Sequence, residues 1–184
     1  MISHARLPHI SVEDYLDNEK TAEVKHEYVA GRVFAMVGAS RAHNSIMLNL
    51  ASLLRDHVES GPCQVFVADV KVRVDAVDAF YYPDVAVTCD PDDNDEYFLT
   101  RPCLIVEVLS PTTEATDRRE KLLAYQTLPS LREYVLVDQR EPHLEVFRRE
   151  GRDWWRDTHA AGDRLTFGSV GLTLDVDAVY RGVL

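Results

Sequence analysis

The 184-residue chain predicts a mixed α/β fold, a central sheet with helices packed on its faces. Three observations lead there. Ile46, Met47, Leu50, Leu53, Leu54 and Val58 recur at helical spacing, which gives one long helix a buried face. Val85–Cys89 and Cys103–Leu109 are short apolar runs of the kind that form strands buried on both sides. From Leu131 to Ala160 apolar and polar residues alternate over three stretches, the period of half-buried strands. Helix and strand patterns interleave without a linker, repeat or low-complexity segment, so residues 1–184 are expected to form a single domain.

The elements follow in order. Ser11, with Asp14 three residues on, reads as the N-cap of a short helix reaching about Glu19. HEYVAGRVFAM places two short runs either side of Ala30-Gly31, a tight hairpin. Ser40 to His43 opens the long helix, which Gly61-Pro62 stops. CQVFVADVKVRV reads as one strand, DAVDAFYY as a turn and approach, PDVAVTC as a short buried strand, and DPDDNDE as a solvated acidic loop. CLIVEVL is the second buried strand. SPTTEAT is a loop from which Thr116 or Asp117 caps the helix DRREKLLAYQTL, ended by Pro129. LREYVLVD, HLEVFRRE and DWWRDTHA are three strands, two of them joined at Glu150-Gly151. LTLDVDAVYRGVL is a strand followed by a short closing helix.

Composition excludes several classes. With 46% hydrophobic and 28% charged residues the chain is globular rather than disordered. No apolar run approaches the ~20 residues needed to span a bilayer, and MISHARLPHISVEDYLDNE lacks the apolar stretch of a secretory signal. Cys63, Cys89 and Cys103 lie far apart in the sequence and read as buried free thiols, which favours a reducing, cytoplasmic setting. The net charge of −11 argues against general affinity for phosphate backbones, while leaving room for a local basic cleft or a site that holds cations.

The chemistry lies in carboxylates where apolar side chains would be cheaper. Glu107 interrupts CLIVEVL, and Asp84 opens the run VAVTC. Burying one ionised carboxylate is costly, and burying two together is worse unless a cation sits between them. Mg²⁺ is held by one or two carboxylates with water and phosphate oxygens. Lys121 shares a helical face with Tyr125 and Leu128, so its ammonium can reach the pair. Glu27, in the hairpin, is a further candidate.

Each residue has a structural alternative. Asp84 could cap a turn after Pro83. Glu107 could form a buried ion pair with Arg118 or Lys121. Lys121 could snorkel over Leu122, and Glu27 could be an exposed hairpin residue. His43 could face the cleft or be a satisfied structural histidine. Asp69 reads as the outward residue of an edge strand, with a supporting role at a metal as the alternative. Of Trp154 and Trp155, one packs the core and the other faces a dimer interface or, less favoured, stacks on bases.

HEYVAGRVFAM, the histidine-started helix, YYPDVAV, LIVEVLSPTT, DRREKLLAYQ and LREYVLVD, in this order, resemble the Uma2 family of restriction-endonuclease-like proteins. Pro83-Asp84, Glu107 and a following lysine resemble the wider PD-(D/E)xK nuclease superfamily. The resemblance implies a restriction endonuclease-like fold, a central mixed β-sheet flanked by helices. It also implies a Mg²⁺- or Mn²⁺-dependent endonuclease site acting on DNA, with Asp84 and Glu107 as metal-binding acids, Lys121 as the lysine and Glu27 as an early glutamate. His43 matches a histidine the family often carries. The superfamily's E-x-K spacing would put the lysine at position 109, where this chain has Leu109, so Lys121 must supply the ammonium from the helix. A homodimer is implied because two DNA strands need two cuts. Two alternatives stand beside this reading: a non-catalytic protein that keeps the fold to bind nucleic acid or a partner, and a phosphodiesterase for small nucleotides.

Overall fold

Ser11 caps the first helix, α1 (Val12–Glu19), and its hydroxyl oxygen accepts the Asp14 N–H. The computed structural model describes residues 9–183; of the leading stretch expected to carry no secretory signal, residues 1–8 lie outside them. β1 (His26–Val29) and β2 (Arg32–Ala35) form the expected hairpin, with left-handed Ala30 and Gly31 at its turn. α2 (Arg41–Val58) starts at Ser40 and buries His43, Ile46, Leu50, Leu54 and Val58. β3 (Gln64–Val67), β4 (Lys71–Val74), β5 (Ala79–Tyr81), β6 (Val85–Thr88), β7 (Phe98–Leu99) and β8 (Leu104–Leu109) follow.

After β8 a helical segment comprises α3 (Glu114–Thr116), a five-residue π-turn (Asp117–Lys121) and α4 (Leu122–Tyr125). Neither Thr116 nor Asp117 caps it, because the helix has already begun at Glu114 and both residues have helical dihedrals. β9 (Glu133–Asp138), β10 (His143–Glu150) and β11 (Asp153–Ala160) are the three expected strands. β12 (Arg164–Phe167), β13 (Leu172–Asp175) and α5 (Val176–Val179) close the chain.

The strands form a six-stranded mixed sheet, order β11-β10-β9-β8-β6-β3, a five-stranded sheet, order β2-β1-β5-β4-β7, and the β12-β13 ribbon. CQVFVADVKVRV is therefore two strands in different sheets. Ala68 takes a left-handed φ of 48° between them, and its N–H donates to the Asp84 carbonyl. No glycine or proline marks this bend, so alternation alone ran through it. DAVDAFYY likewise contains a strand, β5.

The layers follow from which faces are apolar. α2, α5 and the β12-β13 ribbon cover one face of the six-stranded sheet, around Val85, Leu104, Val106, Val135 and Val146. Its other face, with Ile105, Tyr134 and Leu136, packs against α4 and the five-stranded sheet. α1 covers the far side of that sheet through Tyr15, Tyr28 and Phe80. β8 is thus buried on both sides, as its sequence requires. β8 and β9 are parallel, so the chain must cross over between them, and the helical segment is that crossover.

The cysteines depart from expectation. Cys63 and Cys89 flank the β3–β6 register pair Gln64↔Thr88 and are joined in a disulfide. The 26-residue separation hid the pairing, because antiparallel strands bring distant residues side by side. Cys103 is free and buried, with its Sγ 3.6 Å from that of Cys89. Only one of the three cysteines is a free thiol, so the cysteines do not favour a reducing compartment. Among the described residues no helix is long and apolar enough to cross a membrane.

Candidate functional site

Glu107 projects from the middle of β8 toward the same side as Ile105 and Leu109, into the space between the two sheets. The crossover carries Lys121 over it. The Lys121 Nζ lies 2.9 Å from Glu27 Oε1, 3.2 Å from Glu107 Oε1 and 3.3 Å from Asp117 Oδ1. Tyr125 donates its hydroxyl to the same Glu107 oxygen at 3.3 Å. Glu27 arrives from β1 and accepts the Tyr82 N–H at 3.3 Å. Asp84, just before β6, accepts the Val108 N–H at 2.7 Å and faces His43 Nε2 at 3.1 Å. Through Val108 it is tied to the residue next to Glu107.

Little of this cluster is open to water. Lys121 is 5% exposed, Glu107 3% and Asp117 1%. The Glu27 and Asp84 side chains are more open and form its rim. Burial holds the Glu107 carboxyl well above its ordinary range against the pull of Lys121, and the Asp117, Asp84 and Glu27 charges add to the rise. Burial also raises Asp117, with Lys121 opposing. For Lys121 burial disfavours the charge, but Glu107, Glu27 and Asp117 outweigh it and hold the ammonium protonated. His43 behaves alike: burial lowers its pKa, while its hydrogen bond to Asp84 and that residue's charge raise it further.

Every sequence-predicted site residue is near the others. Glu27, Glu107 and Lys121 meet directly, and Asp84 and His43 form the adjoining pair. Asp84 does not cap a turn, Lys121 does not snorkel, and Glu27 is not an exposed hairpin residue. The Glu107 ion pair with Lys121 exists; that with Arg118 does not, since Arg118 bonds to Glu114 and Glu145. Asp69 sits outside any strand, at the bend after Ala68, and pairs with Lys25 at the surface. Trp154 lies under the Arg149 guanidinium, against the core between the sheets, and Trp155 is exposed. In the acidic loop Asp93 is buried and accepts the Thr100 and Arg101 N–H groups, a staple rather than a solvated charge.

Asp117 is the residue that sequence reasoning misplaced. The signal was present: Asp117, Lys121 and Tyr125 follow at four-residue steps on one helical face. The π-turn that carries the first two is a widened turn of a kind frequent at functional sites.

Among the described residues no three His, Cys, Asp or Glu side chains converge on a ready-made metal position. The Lys121 ammonium stands where the carboxylates meet. The donor set still suits a hard divalent ion, which needs only one or two carboxylates. Three carboxylates face one ammonium, and both buried Asp117 oxygens lack a hydrogen-bond partner. Asp84 and Glu107 are the residues that would hold such an ion.

The chain is similar to known proteins in sequence and in fold. Residues 12–177 match the family model Uma2, described as "Putative restriction endonuclease". The uncharacterized protein slr1290 of Synechocystis sp. is 39% identical over 188 residues, covering 100% of this chain and 99% of its own length. The uncharacterized protein sll1609 of the same organism is 32% identical, covering 84% of this chain and 89% of its own. A crystal structure from Anabaena variabilis, described as a "putative nuclease belonging to DUF820", superposes with a TM-score of 0.78. It is 17% identical, covering 95% of this chain and 99% of its own, and shows the shared fold.

Proposed function

From this chain's membership of the Uma2 family, which its match over residues 12–177 establishes, we propose that it is a metal-dependent DNA endonuclease with a PD-(D/E)xK-type site. The observation that carries the reading is the convergence of Glu27, Glu107 and Asp117 on Lys121 beside Asp84, in the core between two sheets. A fold that needed only stability would fill this space with apolar side chains at lower cost.

In this reading Asp84 and Glu107 hold Mg²⁺ or Mn²⁺. The bound ion would lower the pKa of a water and polarise a phosphoryl oxygen. The remaining steps belong to the chain. Val108 N–H and His43 hold Asp84 in place, and the Tyr125 hydroxyl fixes Glu107. Lys121 neutralises charge that develops on the phosphate. Glu27, at the rim, would accept the proton that the attacking water loses as its oxygen bonds to phosphorus, while the P–O bond to the leaving oxygen breaks and that oxygen is protonated by solvent water. The substrate approaches over the Asp84–Glu27 edge. A homodimer would supply the second cut.

The net charge of −11 favours the non-catalytic alternative. The small-nucleotide alternative gains nothing from the ≈ 120 Å³ cavity beside α1, which none of Glu27, Asp84, Glu107 and Lys121 lines and which is well below the ~300 Å³ of a small-molecule site. The test is calorimetry with Mn²⁺ and Mg²⁺ on the unmutated protein and on Asp84→Asn, with and without a short duplex. This is followed by cleavage assays on single-stranded, duplex and branched DNA. Metal binding and cleavage that both vanish in Asp84→Asn support the proposal. Absence of metal binding even with duplex present overturns it in favour of the non-catalytic reading.

A further inference from the structure

Asp117 has no place in the mechanism above, yet it is among the most buried polar residues described. Its carboxylate lies 3.3 Å from Lys121 Nζ, but neither oxygen makes a hydrogen bond. The ammonium instead donates to Glu107 and sits closest to Glu27. One of its three carboxylate partners is therefore in charge contact but unused as an acceptor.

Lys121 also occupies the place where a cation at Glu107 would sit. An ammonium and a divalent ion on one carboxylate repel strongly in a buried setting. The lysine must yield as the metal binds. Its four-carbon stem can move the ammonium by a small rotation, and its three donors suit several acceptors. Asp117, one helical step away on the same face, already pairs with the ammonium through Oδ1 at 3.3 Å and can take it closer.

Resting on the metal-dependent reading, we propose that the Lys121 ammonium is a built-in counter-ion that holds the cation position at Glu107, and that Asp117 is the carboxylate that receives it when a divalent ion binds. Asp117 is thus a positioning residue, acting on the metal through Lys121 rather than as its ligand. The device keeps the acids together without metal and sets the metal affinity by competition.

The experiment is a double-mutant cycle read by Mn²⁺ calorimetry, on the unmutated protein, Lys121→Met, Asp117→Asn and the double variant, each first checked for a cooperative melt. Lys121→Met is expected to bind Mn²⁺ about tenfold more tightly, because the competitor is gone. Asp117→Asn is expected to bind about tenfold more weakly when Lys121 is present, and to change affinity less than about twofold in the Lys121→Met background. An equal loss in both backgrounds overturns the proposal, since Asp117 would then act on the metal directly. Weaker binding by Lys121→Met overturns it too. The unmutated protein gives a second measurement that needs no variant. The ¹⁵N-ammonium resonance of Lys121 should shift on Mg²⁺ titration with the calorimetric affinity, and a resonance that stays fixed while metal binds refutes the exchange of partners. Loss of Mn²⁺ binding in Asp84→Asn with no Asp117 effect sinks this inference alone. No metal binding by the unmutated protein sinks the metal-dependent reading with it.

Discussion

Lys121→Met should be the most destabilising single change in the site. The side chain is 5% exposed and is the ammonium shared by Glu27, Glu107 and Asp117. Removing one partner of a buried ionic group costs about 3–5 kcal/mol, because uncompensated charge is left inside. For a chain of this size each kcal/mol lowers the melting temperature by roughly 2–4 °C, so the loss is roughly 6–20 °C. Glu107→Gln is the control. It leaves Lys121 with Glu27 and Asp117, retains an acceptor for Tyr125 and removes a costly buried charge, so its cost should stay under about 1 kcal/mol. The pH dependence has a definite sign. Glu107 and Asp117 are already raised by burial, with Lys121 holding them down, and its removal raises them further. A carboxyl whose folded pKa exceeds its unfolded value favours folding below the unfolded pKa, and that contribution is lost as pH rises through the folded one. The deficit of Lys121→Met should therefore be widest near neutrality and shrink as the pH falls toward ~4. Thermal melts of the three proteins from pH 4 to 8 provide the assay. A neutral-pH loss under about 1 kcal/mol, or a deficit that deepens on acidification, refutes the assignment of Lys121 as the compensating charge.

Two further outcomes are expected away from the site. Burial pushes the Cys103 thiol up to about 11, so it should react with a disulfide reagent at pH 8 roughly a hundredfold more slowly than a free thiol. The same shift should cost stability as pH rises from 9 to 11, since the unfolded chain loses that proton first; rapid labelling of native protein would contradict it. Glu133→Ala should cost about 2–4 kcal/mol, because the buried carboxylate accepts from Arg148, from the Gly168 N–H and from both the N–H and hydroxyl of Ser169. A melting point unchanged within error would show that the ribbon turn after β12 does not depend on it.

The strands and helices that carry the site were legible because each obeys a local rule. Ser11 and Ser40 cap where an oxygen is needed, Ala30-Gly31 turns the hairpin, and β8 reads as a strand buried on both faces apart from Glu107. That one exception announced the site, since a carboxylate there has to be compensated. Other features were set by long-range pairing, which local patterns do not encode. The bend at Ala68 sends one apparent strand into two sheets, and the β3–β6 register brings Cys63 to Cys89. The role of Asp117 emerged only when the parallel β8–β9 pair forced the crossover and the π-turn set Asp117 beside the ammonium that Lys121 gives to Glu107. The sequence by itself determined which side chains could not be buried alone. Tertiary structure decided which of them share one ammonium, because that depends on distances of about 3 Å between residues up to 94 positions apart, Glu27 and Lys121.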